Sequence, residues 1–189
     1  MNVQTAGIAG LLVVEPRVFA DSRGYFFESY HQAKYDQAGL HSCFIQDNES
    51  LSCYGVIRGL HYQAPPYTQA KLVRVISGRV LDVAVDIRVG SPTYGQSFAL
   101  ELSGDNKLQF YIPRGFAHGF AVLSETALFS YKCDNAYHPA SERCIRYDDP
   151  SLGINWGIPA EKRIVSAKDE QGRSFAEAEV FRDYAQGPR

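Results

Sequence analysis

The feature that most limits what this chain can fold into is a succession of short, strand-length apolar runs, closed one after another by Gly, Pro, Asn or Asp, with no helical segment between them. Leu72 to Ile76 meets a turn at Ser77-Gly78 and continues as the run from Arg79 to Ile87. Further runs follow at Ser97 to Leu102, Leu108 to Ile112, His118 to Leu123, Ala127 to Cys133 and Arg143 to Tyr147. Strands of this length at this spacing predict an all-β, antiparallel sandwich or barrel. In the run from Arg79, Leu81, Val83, Val85 and Ile87 share one face and Asp82 and Asp86 the other, which makes this hairpin a core element.

The N-terminal part is less regular. Leu11 to Pro16 and Arg17 to Ala20 read as short extended pieces, and Asp21-Ser22-Arg23-Gly24 as a turn. The strand launched by Gly24, Tyr25 to Tyr30, places Phe26 and Glu28 on one face. His31 to Ala38 lacks β-branched residues and precedes Gly39, so it is the best internal helix candidate. From Cys43 to Ser50 the alternation puts Gln46 and Asn48 beside Phe44, and two adjacent amides suit a polyhydroxylated or amide-bearing ligand. A weak helical signal runs from Ser174 to Tyr184.

A chain of 189 residues, 45% hydrophobic, is long enough for one substantial core, and residues 1–189 are expected to form a single domain without a linker. Its formal net charge of -2 offers no electrostatic footprint for a nucleic acid polymer or an anionic membrane, so an anionic partner would be a small ligand met by local Arg and Lys. Cys43, Cys53, Cys133 and Cys144 form no C-x-x-C pair and no leader precedes them, which predicts a reduced, cytoplasmic setting. Apolar runs stay far short of the roughly 20 residues a membrane helix needs. Phosphate-loop, dinucleotide-binding and nucleophile-elbow motifs are missing from the sequence.

The chemistry concentrates between Val56 and Lys71. An apolar run carries Arg58 and His61, ends at Gln63, and breaks at Pro65-Pro66 before Lys71 opens the next strand. Regular alternation would send Arg58 and His61 to opposite faces, but Gly59 between them marks a bulge that would bring both into one cavity.

Pro113-Arg114-Gly115-Phe116-Ala117-His118 resembles the second motif of cupin jelly-roll proteins. Metal-binding cupins carry a His-x-His pair in their first motif, where this chain has His61-Tyr62-Gln63; two His residues from separate strands make a poor metal site, and no metal is expected.

The resemblance narrows further. The Asp21 to Glu28 segment, Gln46-Asp47-Asn48, Arg58 to Gln63, Gln69 to Val73, Asp82 to Asp86, Gly115 to Phe120, Tyr131-Lys132 and Lys168-Asp169 stand in the order seen in the dTDP-4-dehydrorhamnose 3,5-epimerase family. The resemblance covers nearly the whole chain and implies a cupin jelly roll acting on dTDP-4-keto-6-deoxyglucose. Its C4 ketone acidifies the hydrogens on C3 and C5, so inversion requires a base, an acid across the ring and a cation near the oxygen, and no cofactor. The family pattern implies His61 as base with Asp169 behind it, Tyr131 as acid and Lys71 beside the enolate oxygen. It places Arg23 and Arg58 on the diphosphate, Glu28, Gln46 and Asn48 on the nucleotide side, His118 on the sugar and Tyr137 on thymine, and counts Phe26, Asp47, Glu142 and Lys168 among the substrate-binding residues. It also implies a homodimer in which an exchanged N-terminal strand brings Arg23 and Glu28 into the neighbouring site. Departures from the pattern at Gly157, after Trp156, and at Ala167 lie near Asp169. A single-centre epimerase, a ketoisomerase of another deoxysugar pathway, a non-catalytic sugar-nucleotide-binding cupin and a metal-dependent cupin oxygenase are the competing outcomes.

Overall fold

In chain order the strands are β1 (Asn2–Thr5), β2 (Leu12–Glu15), β3 (Val18–Asp21), β4 (Gly24–Phe27), β5 (Gln46–Cys53), β6 (Val56–Gln63), β7 (Lys71–Ser77), β8 (Arg79–Asp86), β9 (Ser97–Ser103), β10 (Gln109–Ile112), β11 (Phe116–Val122), β12 (Thr126–Cys133), β13 (Glu142–Cys144) and β14 (Ile164–Val165). Two short α-helices accompany them, α1 (Gln32–Gln37) between β4 and β5 and α2 (Ala167–Glu170) after β14. The computed structural model describes residues 1–180. The expected helical tail begins there only as a 3-10 turn at Phe175–Glu177, and its portion beyond residue 180 lies outside the described residues.

Two sheets face each other as an antiparallel jelly-roll sandwich. The first runs β1-β2-β10-β7-β12-β5, the second β13-β6-β11-β8-β9, with β14 added to β6 in parallel. Their inner faces enclose Val73, Val75, Phe110 and Phe129 from the first sheet and Val80, Ala84, Phe116 and Phe120 from the second. Burying each such Val or Phe side chain stabilises the fold by about 1.5–3 kcal/mol. The outer face of the second sheet, with Val83, Val85 and Ile87, is covered by Ile145, Leu152, Trp156 and Ile158 from the C-terminal segment. The outer face of the first packs Leu72 and Tyr111 against Tyr35 and Leu40 of the α1 region.

The sequence pattern located most strands to within a few residues and split the faces of β8 as observed; two details, at Phe44 and Glu28, differ. Asp82 and Asp86 face the inter-sheet interior and are fully buried, because β8 is a central strand covered on both sides. Asp86 accepts hydrogen bonds from Arg88, Ser91 and Thr93, and Asp82 bonds His118. Phe44 precedes β5 and packs on Tyr30 in the outer cluster, away from Gln46 and Asn48. Glu28 falls just after β4 and pairs with Lys34 at 2.8 Å.

The predicted bulge is present in β6. His118 pairs with His61 and Phe120 with Arg58, so three steps on β6 oppose two on β11. Gly59 sits at φ +135, and a Cβ there would lie 2.5 Å from the Gly119 Cα, so only glycine fits.

Candidate active site

The bulge does more than re-aim side chains. β13 flanks β6 at His61 to Gln63 and β14 flanks it at Val56 and Ile57, and α2 approaches between them. Asp169 enters this gap from α2. Its carboxylate accepts from the Gly59 backbone N–H at 3.2 Å and lies 2.7 Å from His61 Nε2. Ser166 caps α2 by accepting from the Asp169 N–H, which fixes the helix that carries the acid. Burial pushes the Asp169 carboxyl up, but the hydrogen bond and charge of His61 and the Gly59 N–H outweigh it and hold it below its ordinary value. An ionised carboxylate accepts, so it keeps the imidazole proton on Nε2 and leaves the Nδ1 lone pair for chemistry.

Side chains from both inner sheet faces meet at this end of the sandwich. Gln46 and Asn48 from β5, Lys71 from β7, Tyr131 and Cys133 from β12, and His61 from β6 line one cavity, closed at its side by Tyr137 and Glu142. Burial raises the Tyr131 phenol and lowers the Lys71 ammonium, whose Nζ lies 5.9 Å from the centre of the Tyr131 ring. Arg58 shares the inner face with His61, donates to Ser52 Oγ at 3.2 Å, and partly offsets the rise at Tyr131. His118, on the same face, is buried with Nε2 2.9 Å from Asp82, and burial lowers its imidazole despite that carboxylate.

A polar chain frames the cavity mouth. Tyr137 Oη donates to Glu142 at 2.7 Å, Lys168 Nζ reaches the same carboxylate at 2.5 Å, and Gln46 accepts from the Tyr137 N–H. The structure thus gathers ten of the fifteen predicted residues: His61, Asp169, Tyr131, Lys71, Gln46, Asn48, Arg58, Tyr137, Glu142 and Lys168. His118 stands beside them within the core. Asp47 points to the outer face and pairs with Lys132 at 2.8 Å, as its position between two inward residues requires. Arg23, Phe26 and Glu28 belong to the β3–β4 hairpin and the segment just after it; their charges pair locally, Arg23 with Asp21 and Glu28 with Lys34.

Two contributors were not singled out from sequence. Asp82 supports His118, which only the register of β8 on β11 reveals. Cys144 lies across from His61 on β13, its thiol beside Asp169, and no motif marks it. Gln63, at the position of a metal-ligating His in cupins, holds two loops: its amide donates to the Tyr67 and Ala136 carbonyls and accepts from the His138 N–H. With Gln63 so committed and His118 bound to Asp82, the residues present do not fit the metal site of a metal-binding cupin.

The dTDP-4-dehydrorhamnose 3,5-epimerase model matches residues 5–177. The chain belongs to that family. It is an isomerase of the carbohydrate epimerase type. A Pseudomonas aeruginosa dTDP-4-dehydrorhamnose 3,5-epimerase is 50% identical over 96% of this chain and 99% of its own length. A Legionella pneumophila dTDP-6-deoxy-D-glucose-3,5-epimerase, solved in complex with dTDP-4-keto-L-rhamnose, is 48% identical, covers 96% of this chain and 97% of that one, and superposes with a TM-score of 0.92. A dTDP-4-dehydrorhamnose 3-epimerase from Streptomyces niveus is 37% identical over 94% of this chain and 86% of its own.

Proposed function

We propose that this epimerase inverts C3 and C5 of dTDP-4-keto-6-deoxy-D-glucose by proton transfer between His61 and Tyr131, giving dTDP-4-keto-L-rhamnose for rhamnose biosynthesis. The observation that carries the reading is that the two residues line one cavity from opposite sheets, with a carboxylate behind one and a cation beside the other. His61 Nδ1 takes the proton α to the C4 ketone, and Asp169 stabilises the imidazolium that forms. Negative charge develops on the C4 oxygen, where the Lys71 ammonium supplies positive potential, and His118, bonded to Asp82, lines the sugar side. Tyr131 holds its proton in the ground state, because burial raises its phenol, and delivers it to the opposite ring face.

The substrate's nucleotide end lies over Tyr137, Gln46 and Asn48, with Arg58 toward the diphosphate. Arg23, Phe26 and Glu28 reach a site only in a homodimer. The hairpin that carries Arg23 and Phe26 supports this arrangement: Phe26 is 70% exposed, Tyr25 57% and Phe19 51%, an apolar surface of the kind that a second copy covers. Residues 1–189 act as a single domain, and the four free thiols suit a reducing cytoplasm. Among the described residues no helix is long and apolar enough to cross a membrane.

Incubating the enzyme with this substrate in heavy water and reading deuterium by NMR tests the reading. Label at both C3 and C5, lost in His61→Ala, is expected. Label at one carbon would make the enzyme a single-centre epimerase like the Streptomyces niveus relative, and no label in the folded, ligand-binding protein would overturn the proposal.

A further inference from the structure

Behind the catalytic pair lies a second constellation with a different chemical affinity. The β13–β6 register sets Cys144 opposite His61 on the same sheet face, and Asp169 enters beside both from α2. A His61 ring nitrogen, Cys144 Sγ and an Asp169 oxygen all lie within 4.8 Å of one another. His61 Nε2 is 2.7 Å and Cys144 Sγ 4.0 Å from Asp169 Oδ1. An imidazole nitrogen, a thiolate and a carboxylate are a donor set for zinc and other thiophilic divalent ions, one position short of a closed tetrahedron. Tetrahedral zinc would set the nitrogen and oxygen about 3.4 Å apart and the sulfur and oxygen about 3.6 Å apart. Each of the two separations to Asp169 changes by less than about 1 Å, within the reach of side-chain rotation.

We propose that His61, Cys144 and Asp169 form an inhibitory site for thiophilic divalent cations. Binding displaces the Cys144 thiol proton to solvent, and the imidazole proton moves from Nε2 to Nδ1 as Nε2 takes the metal. The ring stays neutral, but Nδ1 then carries the proton and has no lone pair to accept one from the sugar. Turnover stops although the substrate cavity is open. Cys144 reaches the ion through strand register alone, so the site differs from the metal site of cupins, which would use the position of Gln63. The inhibitory effect, though not the binding, rests on His61 acting as the base.

Cobalt(II) is the probe. To silence the exposed thiols, the experiment uses a Cys43→Ser, Cys53→Ser background, since both lie far along the chain on the surface. Titration of this metal-free, full-chain enzyme is expected to give one equivalent of cobalt with a thiolate-to-cobalt charge-transfer band, displaced by zinc. Adding Cys144→Ala is expected to remove the band and lower affinity at least about tenfold. Zinc inhibition reversed by EDTA is expected in the Cys144-containing enzyme and is expected to weaken by a similar factor in Cys144→Ala. A band or an inhibition constant that survives Cys144→Ala overturns the site, as does the lack of any band. A Cys144-dependent band with undiminished turnover leaves the binding but overturns the inhibitory role, and with it His61 as the base.

Discussion

Among the described residues, two histidine–aspartate pairs are built on neighbouring strands. His61–Asp169 and His118–Asp82 have similar separations, 2.7 and 2.9 Å, and His61 and His118 are direct cross-strand partners. Their surroundings differ. The His61 side chain is 30% exposed and opens on the cavity, while His118 is 7% exposed and packed beneath it. Asp169 also holds a backbone N–H and arrives on a helix 108 residues away, whereas Asp82 sits on the adjacent strand. Similar separations therefore do not give the two pairs the same part to play: His61 opens on the cavity, as the proposed general base must, while the buried His118 commits its Nε2 to Asp82.

The comparison can be broken most directly at its exposed member. His61→Asn is expected to lower kcat by about 10²–10⁴-fold, the usual contribution of a positioned acid or base, measured by turnover and by deuterium exchange. Asp169→Asn is expected to lower kcat by about 10²-fold or more with KM little changed, because the carboxamide no longer fixes the tautomer. Equal losses in kcat from His118→Asn and His61→Asn would erase the functional distinction between the pairs.

Backbone placement comes next in size. Gly59→Ala is expected to cost more than about 2 kcal/mol in urea unfolding, since both the backbone conformation and the contact with Gly119 exclude a Cβ. The pairs also separate by pH. His118 has its imidazole lowered by burial in the folded state, so its stabilising contribution is present above the unfolded value of about 6.5 and is lost as pH falls through the folded value. Asp169 is lowered from a carboxylate value, so its contribution is present above about 3.9 and lost only in stronger acid. His118→Asn is expected to flatten the stability profile below about pH 6.5, and Asp169→Asn only below about pH 4, read from urea midpoints across pH. As the smallest effect, Asp47→Ala removes an exposed ion pair with Lys132 and is expected to change stability by less than about 1 kcal/mol.

Much of this architecture is legible in the residues themselves. Alternation and turn signals locate the strands because the side-chain period of two and the glycine and proline requirements of tight turns are local properties. Gly59 announces the bulge for the same reason, and the order of motifs announces the family and its candidate residues. The strand alternation also predicts that Gln46 and Asn48 point together and that Asp47, although it belongs to the same motif, points away to Lys132.

What the sequence determined by itself, then, is the set of strands, the bulge and the identity of the chemical groups, all fixed by interactions within a few residues. Only the tertiary structure decided which groups meet: that Asp169 reaches His61 through the gap between β13 and β14, that Asp82 turns inward to His118, that Gln63 clamps two loops, and that Cys144 stands beside Asp169. Those meetings depend on strand order and sheet packing, where residues far apart in the chain become neighbours because their apolar faces must be buried together.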